Sequence, residues 1–455
     1  MSRRATVILS AAKELAGSNR SFLRSILGMT RAISWRLAAL LSALTVAGAA
    51  QAATVTVEAN PGALAAAVAK AAPGDRLVLA PGRYDGPVTL AKPITLEGQP
   101  GAEVVGPGTG SVIKVQAADV TVRGLIIRGS GRRPMDFDSA IYVAEGADRF
   151  VAEGNRLEGN EFGVVLRHTR HAVVSGNTID NRTDAYETEL GDGIFLTGVH
   201  DTVVKGNRLH GGRDGIFSEV SDKLLLEGNR IEGVRFAIHY MYTNHTRILG
   251  NLSEHNRLGY ALMYSNAIDV ERNLSIDDDR YGLMLHTTYH SVVADNWLRG
   301  TKEKCLFVYT SAKDVIRNNR IEDCPVGLHF TGGSEDNAVY GNAFINNRTQ
   351  VKYTGTVYYE WSKDGRGNYW SDNPAFDLKG NGIAASAYRP NSVMDRLLWR
   401  YPLAKLLVSS PVMEALKVAQ SQFPALMPGG VIDSHPLMAP PPLPADLPQP
   451  DEGRS

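Results

Sequence analysis

A Gly-Asn dipeptide, or a close variant of it, recurs through the middle of the chain at an almost constant spacing. Its steps are 22 or 23 residues, with a single longer step of 30. Such spacing indicates one structural unit per turn of a solenoid. The long step predicts an insertion at about residues 181–190. The asparagines of the repeat are Asn155, Asn177, Asn207, Asn229, Asn251, Asn273, Asn296, Asn319 and Asn342.

Each unit carries two apolar ladders within alternating patterns, as short strands with one buried face do. Three short strands per 22 residues leave no room for the crossover helices of an α/β fold. We therefore predict an all-β chain, a right-handed parallel β-helix over residues 53–365, with the asparagines bonded along its axis at a turn. One ladder consists of Val174, Val204, Leu226, Ile248, Val270, Val293, Ile316 and Val339. The other consists of Val164, Ile194, Ile216, Ile238, Leu262, Leu283, Leu306 and Leu328.

Both ends of a solenoid need a cover, because a terminal coil exposes a strand edge. Residues 61–71 are Ala-rich and predict an N-terminal helical cap. Residues 366–438 lose the period and predict a loop and a helical extension, whereas the Pro-rich residues 439–455 predict a disordered tail. The apolar stripe of the extension is Met413, Leu416, Ala419 and Phe423.

The first 52 residues are typical of a signal peptide. Arg31 and Arg36 precede an apolar run over residues 37–50, which is followed by a small-x-small cleavage site ending at Ala52. Met29 is an alternative start. The apolar run is shorter than the roughly 20 residues needed to cross a bilayer, so cleavage is favoured over a membrane anchor. We expect export to the periplasm.

Charge and cysteine content narrow the classes of function. Residues 53–455 carry 41 Lys and Arg against 47 Asp and Glu, a balance that argues against nucleic acid as a partner. Cys305 and Cys324 are too few for a disulfide framework. One bridge and two buried thiols are equally compatible with the sequence.

Side chains that alternate with the second ladder must face outward. The first outward column is interpreted as Val165, Phe195, Phe217, His239, Met263, Met284, Phe307 and His329. The second is interpreted as Arg167, Thr197, Glu219, Met241, Ser265, His286, Tyr309 and Thr331. Three successive coils therefore present a Met/His patch, which consists of His239, Met241, Met263, Met284 and His286.

Thioether and imidazole ligands together favour Cu(I), a soft ion, whereas zinc prefers thiolate or carboxylate partners and calcium prefers oxygen. We predict a transient Cu(I) site at the Met/His patch. The alternative is that the methionines fill apolar surface beneath a loop or a partner. Phe195, Phe217 and Phe307 extend the same face and predict a protein contact unless a loop of the chain covers them.

A carbohydrate-active β-helix is the main enzymatic alternative, as a lyase, hydrolase or epimerase. Such chemistry needs paired carboxylates in a groove. Asp192 and Asp214 lie in successive Gly-Asp-Gly and Arg-Asp-Gly units, where Asp commonly closes a turn. We interpret them as turn residues and predict no catalytic residue.

The sequence resembles the NosD family, the periplasmic maturation factors of nitrous oxide reductase. The coil motifs alone are shared with sugar-processing β-helices, but the C-terminal segment is not a general solenoid feature. The coil motifs are GDGIFL, GGRDGIF, RFAIHYMYTN, YALMYSN and YGLML. The C-terminal motifs are GNYWSDNPAFDLKGNGI, YRPNSVMDRLLWRYPLAKLLVSSPVMEALKVAQSQFP and PGGVIDSHPLM.

The resemblance implies an accessory protein without turnover of its own. It implies docking on an ABC transporter made of a permease and an ATPase, which would be the protein's contact with the membrane. It also implies that copper comes from a lipoprotein chaperone and goes to the copper–sulfide centre of nitrous oxide reductase. Residues 391–424 are the segment we expect to contact the permease.

Overall fold

The computed structural model describes residues 52–353, 355, 357–407, 410–422 and 429–450. Three parallel sheets wind around one core in about 14 turns, so the predicted parallel β-helix is confirmed. From β2 onward, strands three apart in the chain pair within the three sheets, as expected when every turn contributes one strand to each sheet. The predicted signal peptide lies outside the described residues, except for Ala52.

The strands are numbered in chain order, and each sheet is defined by its members among the described residues. Sheet A contains β1 (Thr54–Val57), β2 (Arg76–Leu79), β5 (Thr95–Gly98), β8 (Thr121–Arg123), β11 (Val151–Glu153), β14 (Val173–Ser175), β17 (Val203–Lys205), β20 (Leu225–Glu227), β23 (Thr246–Leu249), β26 (Ile268–Glu271), β29 (Val292–Ala294), β32 (Val315–Arg317) and β35 (Ala338–Tyr340). Sheet B contains β3 (Gly82–Asp85), β6 (Ala102–Val105), β9 (Ile126–Arg128), β12 (Arg156–Glu158), β15 (Thr178–Asp180), β18 (Arg208–His210), β21 (Arg230–Glu232), β24 (Leu252–Glu254), β27 (Leu274–Ile276), β30 (Trp297–Arg299), β33 (Arg320–Glu322), β36 (Ala343–Ile345) and β39 (Tyr369–Trp370). Sheet C contains β4 (Val88–Leu90), β7 (Ile113–Val115), β10 (Ser139–Val143), β13 (Phe162–Arg167), β16 (Ile194–Thr197), β19 (Asp214–Glu219), β22 (Phe236–Met241), β25 (Leu258–Met263), β28 (Tyr281–His286), β31 (Lys304–Tyr309), β34 (Val326–Phe330) and β37 (Val351–Tyr353). A separate pair consists of β38 (Tyr358–Glu360) and β40 (Gly430–Ile432).

Helices lie at the two ends of the solenoid. The N-terminal helix α1 (Ala63–Lys70) buries Leu64 against the first coils, as the Ala-rich segment predicts. The C-terminal helices are α2 (Val393–Arg400) and α3 (Pro411–Gln422). Short 3-10 turns span Pro134–Asp136, Glu187–Glu189 and Pro402–Leu407.

The ladder in sheet A follows the predicted register, because each residue pairs with its predicted neighbour from Val174 to Val339. The ladder in sheet C differs from the prediction at one coil. There Tyr260, and not Leu262, pairs with Ile238 and Leu283. The buried Tyr260 hydroxyl donates within a core of apolar side chains to the carbonyl oxygen of Asn251 at 2.8 Å.

The asparagine column is a buried hydrogen-bonded ladder between sheets A and B. The side chain of Asn155 donates to Asn177 Oδ1 at 2.9 Å, and each later asparagine repeats this contact with the next coil. The ladder continues one step beyond the predicted set, from Asn342 to Asn368. Buried amides are therefore satisfied along the axis, which is what allows a polar residue to occupy this position.

The C-terminal segment closes the last coil. The buried carboxylate of Asp433 accepts hydrogen bonds from the backbone N–H of Asn368 at 2.7 Å and from Trp370 Nε1 at 2.8 Å. Tyr388 stacks on Trp370 with ring centroids 4.8 Å apart. Since β39 pairs with β36, the solenoid runs a few residues past the predicted boundary at residue 365.

The Pro-rich segment, expected to be disordered, has defined contacts over residues 439–450. Asp446 pairs with Arg272 at 3.1 Å, and Arg230 donates to the carbonyl oxygen of Gln449 at 3.0 Å. Leu447 is buried. These contacts place this part of the tail against neighbouring coils of the solenoid, an arrangement that composition alone does not indicate.

Cys305 and Cys324 form a disulfide with a Cα–Cα distance of 5.9 Å, which decides between the alternatives left open by the sequence. The bridge is buried in the core and joins β31 to the turn after β33.

Asp278 is a buried carboxylate that occupies a position where a neighbouring coil has Asn256. Its Oδ1 accepts from the N–H of Asn256 at 2.9 Å, and its Oδ2 accepts from Ser253 and Ser275 at 2.8 and 2.6 Å. Burial raises its pKa to about 7, against the opposing effect of these hydrogen bonds. The folded state therefore keeps a proton that the unfolded chain releases near pH 4. As a result, the free energy of unfolding falls as the pH rises from about 4 to about 7.

We expect Asp278→Asn to be more stable than the parent at pH 8, by about 2 kcal/mol, and nearly unchanged at pH 5. An amide keeps the shape and the acceptor of the carboxylate without the buried charge. Thermal or urea unfolding at the two pH values measures the difference, with the exposed Asp364→Asn as the control. An identical pH dependence in parent and variant would contradict the assignment.

Candidate metal site on the outer face of sheet C

The register of sheet C places the Met/His patch on three adjacent strands, β22, β25 and β28. Met241 pairs with Met263, and Met263 pairs with His286, so these side chains form one continuous row. Neighbouring strands lie roughly 4.8 Å apart, so the backbones of Met241 and His286, at the two ends of the row, are roughly 10 Å apart. Met263 packs with Ala261 and Met284. The structure thus places the predicted residues on three adjacent strands. One of them, Met263, lies in a different outward row from the predicted one.

Met263 belongs to the second outward column, and Ala261 takes its place in the first. His239 pairs with Ala261, which in turn pairs with Met284. The predicted placement is therefore wrong by two residues in this coil. Gly259 and Ala261 are both small residues that suit the strand opening, and Gly259 occupies it, 22 residues after Ala237.

The patch is partly sheltered. His239 and Met284 are 7% and 8% exposed, whereas Met241, Met263 and His286 are half-buried. The His286 ring lies between Tyr264 and Tyr309, with centroids 5.0 and 4.9 Å away. Burial lowers the pKa of His286, so the ring is neutral at neutral pH and its nitrogen lone pair is available to a metal.

His239 has one engaged and one unpartnered ring nitrogen. Its Nδ1 lies 2.9 Å from Asp214 Oδ2, which fixes the proton on Nδ1. Its Nε2 is buried and has no hydrogen-bond partner among the residues that the structure describes. Phe217 and Phe236 pack against the ring, with centroids 4.7 and 4.9 Å away. A buried, unpartnered nitrogen is costly, and an imidazole oriented by a carboxylate is the arrangement found at metal-binding histidines.

Asp214 and Asp192 form a buried ladder with two arginines. Arg235 contacts Asp214 with two nitrogens, at 2.8 and 2.6 Å, and Arg213 contacts Asp192 in the same way at 3.0 Å. Burial raises the pKa of Asp192 to about 7, helped by the charge of Asp214. Burial acts in the same direction on Asp214, but hydrogen bonds from His239 and Arg235 outweigh it and lower the pKa. Both carboxylates bind side chains of the outer face, so their interpretation as simple turn residues was incomplete.

Apolar side chains border the patch on its N-terminal side. Phe195 and Phe217 are buried, and Phe137 from a loop of the same chain packs 5.2 Å from Phe195. Arg213 lies over the Phe217 ring at 5.6 Å. The chain itself therefore covers these two side chains, which is the alternative that the sequence left open, and not an exposed stripe. Phe307 remains half-buried.

The insertion at residues 181–190 reaches the same border. Glu187 pairs with Arg257 at 3.3 Å and lies 3.8 Å from Arg235, the arginine that holds Asp214. The acidic residues of the insertion thus balance arginines that project from successive coils.

The donor set decides which ion this face could hold. Among the described residues, no group of three or more His, Cys, Asp or Glu side chains is placed to hold a metal. A site here would depend on thioether sulfur together with imidazole, a combination that suits Cu(I). Sequence reasoning missed Asp214 as the orienting partner of His239, because this contact joins residues 25 positions apart in neighbouring coils.

The comparisons with known proteins identify the family of the chain. Residues 181–375 match the family model described as "Periplasmic copper-binding protein (NosD)". A protein of Pseudomonas aeruginosa, named "Probable ABC transporter binding protein NosD", is 46% identical over 83% of this chain and 91% of its own length. This chain belongs to the NosD family. A NosD of Stutzerimonas stutzeri with the same description is 43% identical over 80% of this chain and 87% of its own length.

Solved structures share the fold of this NosD family member at low sequence identity. The A-module of mannuronan C-5 epimerase AlgE6 from Azotobacter vinelandii has a TM-score of 0.50 at 14% identity, over 64% of this chain and 90% of that chain. PfbA, a surface adhesin of Streptococcus pneumoniae, has a TM-score of 0.51 at 9% identity, over 64% and 88%. Because one is an epimerase and the other an adhesin, the likeness shows the β-helix and nothing of the function.

The family assignment points to a periplasmic accessory protein and to association with an ABC transporter. Within the described residues, every helix is too short or too polar to span a bilayer.

Proposed function

We propose that this protein carries Cu(I) on the Met/His patch during the maturation of nitrous oxide reductase. The observation that supports this most directly is the site itself. The row Met241–Met263–His286 lies beside His239, whose buried Nε2 has no partner. Soft sulfur donors and neutral imidazoles bind Cu(I) without requiring a permanent, fully enclosed cage, which suits a cargo that must leave again.

The partners follow from the family. The protein receives copper from a lipoprotein chaperone and passes it to the reductase for its copper–sulfide centre, while bound to the permease and ATPase of an ABC transporter. The description of the relatives as transporter-binding proteins supports the last partner.

The geometry favours a carrier without its own turnover over a carbohydrate-active enzyme. Glycan chemistry on this face would depend on Asp192 and Asp214, but both are buried and bound to arginines. A carboxylate held in this way is not placed to exchange a proton with a sugar in a groove.

Purified mature protein should retain at least one Cu(I) against a chromogenic Cu(I) chelator under anaerobic conditions, and should transfer it to copper-free reductase. Zn(II) added in excess should not displace it, because the site lacks thiolate and carboxylate donors. Loss of all copper to the chelator at every ratio would contradict the proposal.

The helical extension offers an apolar surface for the transporter. Leu403, Leu406 and Val412 are 81%, 85% and 69% exposed. Exposed apolar side chains grouped in one segment mark a protein contact. Of the stripe predicted in this segment, Met413 is buried, Leu416 and Ala419 are half-buried, and Phe423 lies outside the described residues.

Replacing Leu403, Leu406 and Val412 by serine should abolish co-purification with the transporter and leave the thermal midpoint nearly unchanged, because these side chains add little to the fold. Point variants are preferable to removing residues 391–438, since that deletion would also remove β40 and Asp433, which close the last coil. The control is Phe376→Ser with Leu378→Ser, which alters equally exposed side chains outside the helices. Equal retention of the transporter by both variants would refute this docking surface.

A further inference from the structure

Basic side chains lie on the outer face of sheet C beyond the Met/His patch. Lys304 opens β31, and His329 and Lys352 follow on β34 and β37. The row that contains His239, Ala261 and Met284 continues through Phe307 and His329 to Lys352. His329 is two strands from Met284, which corresponds to roughly 10 Å.

The contacts of these side chains leave their charge poorly compensated. Lys304 lies 4.1 Å from the Tyr281 ring centroid, donates to the Tyr281 hydroxyl at 3.0 Å, and is 3.8 Å from Glu303. Glu303 already accepts from Arg280 at 2.9 Å.

Lys352 has no carboxylate within 4.0 Å among the described residues. Its Nζ lies 5.9 Å from the centroid of the Trp399 ring, which belongs to helix α2. His329 stacks on Phe307 with centroids 5.0 Å apart, and its Nδ1 is buried without a hydrogen-bond partner.

The two lysines repel each other, and both disfavour a positive charge on His329. Burial and the charges of Lys352 and Lys304 lower the pKa of His329 to about 4, and burial and Lys304 lower the pKa of Lys352. Holding like charges together in partly desolvated surroundings is unfavourable unless a counter-charge is present. The three side chains are grouped, because Lys304 lies 4.7 Å from the centroid of the Phe307 ring on which His329 stacks, and His329 pairs with Lys352 on the next strand. Two positive charges and a further N–H donor grouped in this way suit a small anion.

We propose that Lys304, His329 and Lys352 bind a small inorganic anion. A small ligand fits better than a carboxylate of a folded partner, because the side chain of Lys304 is only 17% exposed and the unpartnered nitrogen of His329 is buried. The site lies on the same face as the copper patch, but it is defined by different residues and stands whether or not that patch binds copper.

The test follows the ring resonances of His329 by NMR in the full mature protein. Sulfate, a hard dianion, and thiocyanate, a soft monoanion, are titrated at ionic strength held constant with sodium chloride. We expect a saturable shift with at least one of them. Lys352→Met should weaken the binding about tenfold, the loss expected for one charge-assisted hydrogen bond. Lys352→Arg should retain most of it.

Lys363→Met is the matched control, since Lys363 also lies over an aromatic ring, that of Tyr340 at 5.6 Å, but outside this cluster. Binding that is equal in the Lys352 and Lys363 variants would overturn the proposal. Absence of a saturable shift with both anions would also overturn it. If neither anion gives a saturable shift but Lys352→Met weakens co-purification with the transporter, the cluster binds an acidic side chain of the transporter and not a free anion.

Discussion

Changing Met263 and Met284 to leucine and His286 to glutamine should lower the affinity for Cu(I) by about 100-fold or more, since even the loss of a group that only orients a metal ligand costs 10–100-fold. Leucine keeps the volume of methionine and removes the sulfur, so the change tests ligand chemistry and not packing. The affinity is measured by competition with a chromogenic chelator, and copper loading of the reductase is measured in parallel.

The matched control makes the same kinds of change away from the patch. It combines Met135→Leu, Met438→Leu and His210→Gln, all three at exposed side chains. This control variant should bind and deliver copper as the parent protein does. If both triple variants bind Cu(I) equally well, the outer face of sheet C is not the copper site.

The second expectation concerns Asp214, which touches His239 but no metal. Asp214→Asn should lower the affinity for Cu(I) about tenfold or more, the typical effect of losing a group that orients a metal-binding histidine. An amide presents N–H groups where the carboxylate accepted them, so His239 would move its proton to Nε2, the nitrogen that is otherwise free.

Asp192→Asn provides a closely matched control. Asp192 is equally buried, lies in the neighbouring coil of the same row, and holds Arg213 as Asp214 holds Arg235. Its carboxylate has no recorded contact with His239. Asp214→Asn removes half of a buried ion pair and should lower the thermal midpoint, whereas Asp192→Asn should lower it less, because burial and the charge of Asp214 raise the pKa of Asp192 to about 7. A similar loss of copper affinity in both variants would assign the effect to stability and remove Asp214 as a positioning residue.

The fold could be predicted because one period governs both packing and hydrogen bonding. Every 22 or 23 residues the same position must fill the core or extend the asparagine ladder, so the pattern is visible without knowledge of the structure. The error at Met263 has a physical origin. Residue type was used to find the strand opening, and the sequence offers both Gly259 and Ala261, whereas strict addition of 22 residues selects Gly259.

The candidate site could be predicted only in part. The residues of the patch differ in type from those of other coils, so they stand out in the outward columns. The contact between His239 and Asp214, the cover over Phe195 and the pairing of Asp446 with Arg272 each join residues from different positions of different coils. No periodic pattern encodes such contacts, because they depend on side-chain direction and on loops outside the repeat.

The solenoid has a consequence for the reach of the molecule. Between the Met/His patch and the C-terminal helices, the chain advances by whole coils, each roughly 4.8 Å thick. The separation between a metal held on β28 and the apolar side chains at Leu403 and Leu406 can therefore change through evolution only in steps of one coil. Under the proposed function, the number of coils after His286 therefore sets the distance between bound copper and the surface proposed to contact the transporter.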